Sequence, residues 1–248
     1  MTDVIDTAAA RTTATTTWMK LARAGAITMV VWSVVLQAIL AREVIPPVLV
    51  IGAIYLVAAP FLKGERRRLG LALAVVTAIL FTGNLGQIAD SLAAVTSAPG
   101  WVMTWLSTVT AVVGVGAGLG AFFQWRADAV RVMAVGTASV FVLGALVSVA
   151  AAVNTESDAP LATDIRVTAE KVEFAPEAIS FDAGSGGVWV DNRDGIHHTF
   201  TIAQLGIDLE IPAFKAKRID IGAPPGTYGY ACTVPGHEGM VGVLTIIG

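Results

Sequence analysis

The feature that most constrains this chain is a succession of five apolar runs within its first 153 residues, each nearly free of charge. They cover roughly 24–41, 44–62, 69–89, 101–125 and 132–153. A helix rising about 1.5 Å per residue needs about 20 residues to cross a hydrocarbon core about 30 Å thick. Each run is therefore read as a membrane-spanning helix, so that residues 24–153 form a five-helix transmembrane region. Pro46 and Pro47 suit the first turn of the second helix, where a missing amide costs little. Only 14% of the residues are charged, against about 25% in ordinary globular domains. A soluble core would have to hide five long helices that are apolar all round.

The loops orient these spans. Lys20 and Arg23 precede the first, Lys63, Arg66, Arg67 and Arg68 separate the second from the third, and Arg126 and Arg131 separate the fourth from the fifth. The opposite loops hold only Arg42 and, in "DSLAAVTSAPG", no basic residue. Basic residues concentrate on the cytoplasmic side, which places the N-terminus inside and the C-terminal part outside, as an odd span count also requires. Trp18, Trp101, Trp105 and Trp125 fall near the expected interfaces. Residues 1–23, Thr- and Ala-rich with Asp3 and Asp6, read as a disordered cytoplasmic tail and not as a cleavable signal.

The bundle shows little chemistry of its own. None of the three histidines lies in it, which excludes a histidine-ligated haem between its helices. Asn84, Gln87 and Asp90 recur at a spacing of three in "GNLGQIAD" and read as interhelical hydrogen-bonding groups with an aspartate at the outer interface. Gly114/Gly118 and Gly116/Gly120 make small-xxx-small pairs, which favour close helix packing.

Past "NTESDAP", a polar linker over 154–160, the periodicity changes. "TDIRVTAEKVEF", "AISFDAG", "GVWVDNRD", "HTFTIAQ", "KRIDIG", "GTYGYAC" and "VGVLTIIG" are short, alternating and bounded by turn residues, which predicts an all-β sandwich or barrel over 161–248. This part holds 6 Lys/Arg against 11 Asp/Glu, while residues 1–160 hold 10 against 8. The only cysteine, Cys232, lies here with all three histidines, His197, His198 and His237, and is followed by Met240. A lone thiol cannot form an internal disulfide and is either buried as a small apolar residue or used. A thiolate, two imidazoles and a thioether make the His₂Cys set with a weak axial Met that suits a blue-copper site, and zinc gains little from the methionine.

At "FAPEAISFDAG", "VWVDNRDGIHHTFTI" and "PPGTYGYACTVPGHEGMVGVLTI" the sequence resembles the cupredoxins, the type 1 copper family that includes plastocyanin and azurin. The resemblance covers most of 166–248 in the family's order. It implies an eight-stranded Greek-key sandwich holding one mononuclear copper ion. His198 is the implied first ligand, Cys232 the thiolate, His237 the second imidazole and Met240 the axial thioether. Strand alternation agrees with His198, because His198, Phe200 and Ile202 then share the inward face, and His197 becomes a solvated neighbour. Thr199 and Thr233 stand where the family has hydrogen-bonding residues, and can tie the two ligand loops together. The related oxidase subunit II needs two bridging thiolates, and one cysteine excludes its dinuclear centre.

A site with four protein donors leaves no open position for substrate, which favours electron transfer over catalysis. The expected protein is a multi-pass membrane protein whose copper domain, on the outer face of the cytoplasmic membrane, exchanges single electrons with a redox protein partner such as a membrane oxidoreductase. In the family the C-terminal histidine, here His237, lies in the patch where partners dock. The lipid bilayer is the other expected partner and no nucleic acid is expected. The competing readings are copper delivery or sensing, or a non-catalytic subunit of a larger membrane redox complex.

Overall fold

The computed structural model describes residues 2–35, 46–184 and 186–248. Six helices come first: α1 (Thr2–Val35), α2 (Pro46–Ala58), α3 (Arg67–Thr82), α4 (Leu85–Ala93), α5 (Ala98–Phe123) and α6 (Asp128–Val153). Nine strands follow between Ile165 and Ile247. The chain divides into two compact units, one of residues 1–85 and 105–144, the other of residues 86–104 and 145–248.

The expectation of five spans is corrected. Among the described residues three helices are long and apolar enough to cross a membrane: α1 over Ala9–Val35, α5 and α6. A fourth is reached only if α3 and α4, broken between Thr82 and Leu85, count as one span, and the second run yields a shorter apolar helix, Val48–Phe61. A hydropathy window counts side chains and is blind to the continuity of the backbone ladder. Here the ladder closes at Gly83, whose N–H reaches Ile79 O at 3.0 Å, and Asn84 turns its side-chain amide back onto Leu80 O at 2.8 Å. Residues 36–45, with the end of the first run, the start of the second and Arg42, lie outside the described residues. Residues 1–23, read as a disordered tail, belong to α1 from Thr2 onward.

In the first unit the small residues of α5 set the packing. A Cβ at Gly118 would strike the Gly70 carbonyl and come within 2.7 Å of Ala74 Cβ on α3, and one at Gly120 would lie 2.5 Å from the Trp18 ring on α1. Of the four glycines predicted to favour close approach, Gly118 and Gly120 are where a backbone and a large ring come in, Gly116 faces the Met133 side chain, and a Cβ at Gly114 would meet nothing within 4 Å. Trp18, expected at an interface, is 1% exposed, and its indole N–H donates to Trp125 O at 3.0 Å.

The second unit contains the sandwich. Its strands are β1 (Ile165–Glu170), β2 (Glu173–Ala175), β3 (Ala178–Asp182), β4 (Gly187–Asn192), β5 (His198–Ile202), β6 (Ile207–Ile211), β7 (Ala216–Asp220), β8 (Gly226–Ala231) and β9 (Val241–Ile247). They form a four-stranded sheet ordered β2-β1-β4-β7 and a five-stranded sheet ordered β3-β9-β8-β5-β6. The β1–β4 and β3–β9 pairs are parallel. Period-2 alternation sends Ile179 and Phe181, Phe200 and Ile202, Leu244 and Ile246 into one core. Phe174, Phe200 and Tyr230 meet at its centre, with ring centroids 4.7–5.9 Å apart. The stretch read as one strand, "TDIRVTAEKVEF", is a hairpin. Lys171 and Val172 turn at φ 57° and 60°, a conformation that Gly or Asn would have advertised and a β-branched Val does not. The linker lies against the β7 edge: Asp158 N–H donates to Ala216 O, Asp158 Oδ2 accepts Arg218 N–H and Asp158 O accepts the Trp189 indole N–H, at 2.7–2.9 Å.

Candidate metal centre

Two loops at one end of the sandwich bring the candidate donors together. Strand β5 starts at His198 and follows its predicted alternation, with His198, Phe200 and Ile202 buried and Thr199 and Thr201 half-buried. Cys232 follows β8 directly and begins a tight loop. Cys232 N–H donates to Met240 O at 2.9 Å, His237 N–H to Val234 O at 3.0 Å, and Met240 N–H to His237 O at 2.9 Å. Gly236, at φ +90°, supplies a backbone turn that a side chain would strain. The two loops are tied as expected: Thr199 Oγ1 lies 3.0 Å from Thr233 Oγ1 and accepts Thr233 N–H at 2.8 Å.

The ligand-type atoms of His198, Cys232 and His237 all lie within 4.8 Å of one another, and all three residues are buried. Cys232 Sγ is 3.8 Å from His198 Nδ1 and 3.4 Å from His237 Nδ1, and accepts Thr199 N–H at 3.4 Å. Met240 is fully buried in the same apolar cluster. Burial alone would push the thiol up, but the hydrogen bonds from His198, His237 and Thr199 outweigh it and hold Cys232 at about 5. A thiol of that kind is a thiolate at neutral pH, the form that binds metal. Two imidazole nitrogens turned on a buried thiolate are donors facing a common point, and the set fits copper chemistry.

The sequence reading missed Asp194. Its Oδ2 lies 2.8 Å from His198 Nε2, so the outer ring nitrogen is taken and Nδ1 is left facing Cys232. The carboxylate is itself held by the β1–β2 turn, accepting Lys171 N–H at 2.9 Å and Val172 N–H at 3.2 Å. Burial raises its proton affinity, but the His198 and backbone hydrogen bonds prevail and the net direction is down. Burial lowers that of His198, yet Asp194 and Cys232 carry it above the ordinary value. Asn192, 1% exposed, stitches the loop by donating to Ile196, Ile211 and Pro212 carbonyls and accepting Asp194 N–H. The Asp-x₃-His spacing before β5 was the available signal.

His197 is corrected. It is buried, not solvated, with Nε2 3.0 Å from Asp90 Oδ2. Alternation does turn it away from the core, but a residue from far upstream covers that outer face. Gln87 and Asp90 accordingly face the loops of the sandwich, not neighbouring helices.

Residues 140–246 match the family described as the cupredoxin-like domain, and this part of the chain carries that domain. Among solved structures, the chain is similar to a copper-containing nitrite reductase from Thermus scotoductus SA-01, at 19% identity and TM-score 0.31, over 38% of this chain and 24% of that one. It is similar to the metal binding domain of the Streptococcus pneumoniae D39 Cu(I) exporting P-type ATPase, at 18% identity and TM-score 0.31, over 38% and 95%. It is also similar to an oxidized amicyanin variant, at 23% identity and TM-score 0.30, over 37% and 89%. At these scores none of the likenesses carries a functional conclusion. No curated protein matches the chain in sequence.

Proposed function

We propose that this protein is a membrane-anchored type 1 copper protein that passes single electrons on the outer face of the cytoplasmic membrane. His198, Cys232 and His237 would be its strong ligands and Met240 its weak one. The observation that carries this reading is the buried cluster of one thiol and two imidazoles whose ligand atoms all lie within 4.8 Å of one another. Bound copper would supply one-electron chemistry by alternating between Cu(II) and Cu(I). The residues hold that site in a fixed shape: Asp194 orients His198, the Thr199–Thr233 pair joins the loops, and the Cys232–Met240 backbone bond closes the second one. A shape that does not change with oxidation state keeps reorganisation small, and a closed donor set excludes substrate.

The anchoring rests on α1, α5 and α6, the three helices long and apolar enough to cross. An odd number of crossings puts the two ends on opposite faces, and Lys20, Arg23, Arg126 and Arg131 favour the cytoplasm for the N-terminus. Lys63, Arg66, Arg67 and Arg68 join that face only if α2 and the bent α3–α4 pair both cross as well, which keeps the count odd. The sandwich's excess of acidic residues, 11 against 6, favours a basic redox partner through steering.

The deciding experiment loads the full-length protein with Cu(II) in detergent. The expected result is an intense visible thiolate-to-copper band that bleaches reversibly on reduction and is lost in Cys232→Ser. A colourless protein that releases copper readily would sink this reading in favour of copper delivery or sensing.

A further inference from the structure

Within the second unit, the segment from Gly86 to Gly100 lies against the end of the sandwich that carries the metal loops. Helix α5 begins at Ala98, so Gly100 N–H is one of its unpaired first-turn donors, and Gly195 O accepts it at 2.8 Å. Ser97, 1% exposed, accepts Ala213 N–H on its hydroxyl oxygen at 2.9 Å. Asp90 Oδ2 sits 3.0 Å from His197 Nε2. The surfaces are close-packed. A Cβ at Gly100 would lie 3.1 Å from both Gly195 O and Ile196 Cγ2, and one at Gly236 would meet the Gln87 amide at 3.5 Å. Gly195, Ile196 and His197 lead into His198, Gly236 precedes His237, and Ala213 lies in the loop between β6 and β7. The exposed positions left beside His237 include Thr233, Gly236, Glu238 and Gly239, while His237 itself is 7% exposed.

We propose that residues 86–100 are a built-in cap on the metal end of the sandwich. The cap occupies in cis the surface over His197, abuts Gly236, and leaves a redox partner the rim at Thr233, Gly236, Glu238 and Gly239. The cap is a property of the protein with or without metal; its kinetic consequence rests on the electron-transfer reading. A redox encounter still buries several hundred Å², up to about 1,200 Å² in total, and the cap removes part of the area around His237 from that use. A small reagent needs no such area. The cap therefore discriminates by partner size and direction of approach, and not by driving force.

Two measurements on the full-length protein in detergent separate the cap from its consequence. In metal-free protein, amide hydrogen exchange is followed in the peptides that contain Ile196 and Ala213, for wild type and for Ser97→Ala, Asp90→Ala and Gly100→Val. The expected result is slow exchange in wild type and severalfold faster exchange in the variants, largest for Gly100→Val, whose side chain cannot fit against Ile196. Unchanged exchange in all three overturns the cap. In protein loaded with copper and reduced to Cu(I) with ascorbate, electron transfer from it is timed to hexacyanoferrate(III) and to ferricytochrome c, a basic soluble protein. Ser97→Ala and Gly100→Val, which leave the charge unchanged, are expected to accelerate the cytochrome reaction about tenfold and leave the hexacyanoferrate reaction unchanged. Glu238→Gln, which keeps an acceptor for Gly236 N–H, is expected to slow the cytochrome reaction. Loosened exchange with an unchanged cytochrome rate overturns the exclusion of partners, and an unaltered rate in Glu238→Gln overturns the rim. A wild-type protein with no blue band defeats the electron-transfer reading alone, and hydrogen exchange still decides the cap.

Discussion

At the scale of single residues the site is a relay of hydrogen bonds from a strained turn to a thiolate. Lys171 and Val172 adopt positive φ and in doing so aim two N–H groups at Asp194, which in turn fixes the outer nitrogen of His198. Asp194→Ala removes that fixture and is expected to weaken copper binding about 10- to 100-fold, measured by competition with a chelator of known affinity. Asp194→Asn keeps an acceptor but removes a negative charge next to the site. The oxidised, more positive state loses more by this than the reduced one, so the reduction potential is expected to rise, as read by a spectroelectrochemical titration. The thiol and the two histidines were legible because their residue types and spacing are rare together. The role of Asp194 was not legible, because Asp in a turn is common and its partners lie 22 and 23 positions upstream.

At the scale of elements, amphipathic period and turn chemistry located most of the strands, since alternation in β3, β5 and β9 is written in adjacent residues. The short β6, between Ile207 and Ile211, escaped that reading. The first, fourth and fifth apolar runs were legible as helices long enough to cross, and the second and third were not. The break at Gly83 and the short α2 depend on where hydrogen bonds end, which composition does not report. Close packing of α5 is the element-level claim most open to test. Gly118→Leu would drive a side chain into Gly70 and Ala74, and overpacking of this kind costs about 1–3 kcal/mol. Gly136→Ala on α6 meets nothing within 4 Å and is expected to be neutral, or stabilising by up to about 1 kcal/mol from helix propensity. Thermal unfolding midpoints in one detergent compare the two.

At the scale of the whole molecule, the sandwich is joined to α6 by a linker that is pinned along β7, and Arg218 is the centre of that seam. Its Nε donates to both Asp164 oxygens at 2.8–3.0 Å, while its other nitrogen meets Asp220. Arg218 holds the Asp164 carboxyl below its ordinary 3.8. A group whose proton affinity falls on folding stabilises the fold above its unfolded value and loses that contribution as pH drops through the folded one. Asp164→Asn is therefore expected to lower the unfolding midpoint near neutral pH, with the difference from wild type shrinking below pH 3.8; a gap that stays constant down to the acid limit counts against the ion pair. The sequence by itself determined the apolar helices, the change to alternating strands at the linker, and the residue types and spacing of His198, Cys232 and His237. All of these are properties of neighbouring residues. Only the tertiary structure decided that α3 and α4 are broken, that Asp194 stands behind His198, and that Asp90 covers His197. Those outcomes depend on contacts between residues far apart in the chain, and local periodicity carries no information about which distant groups will meet.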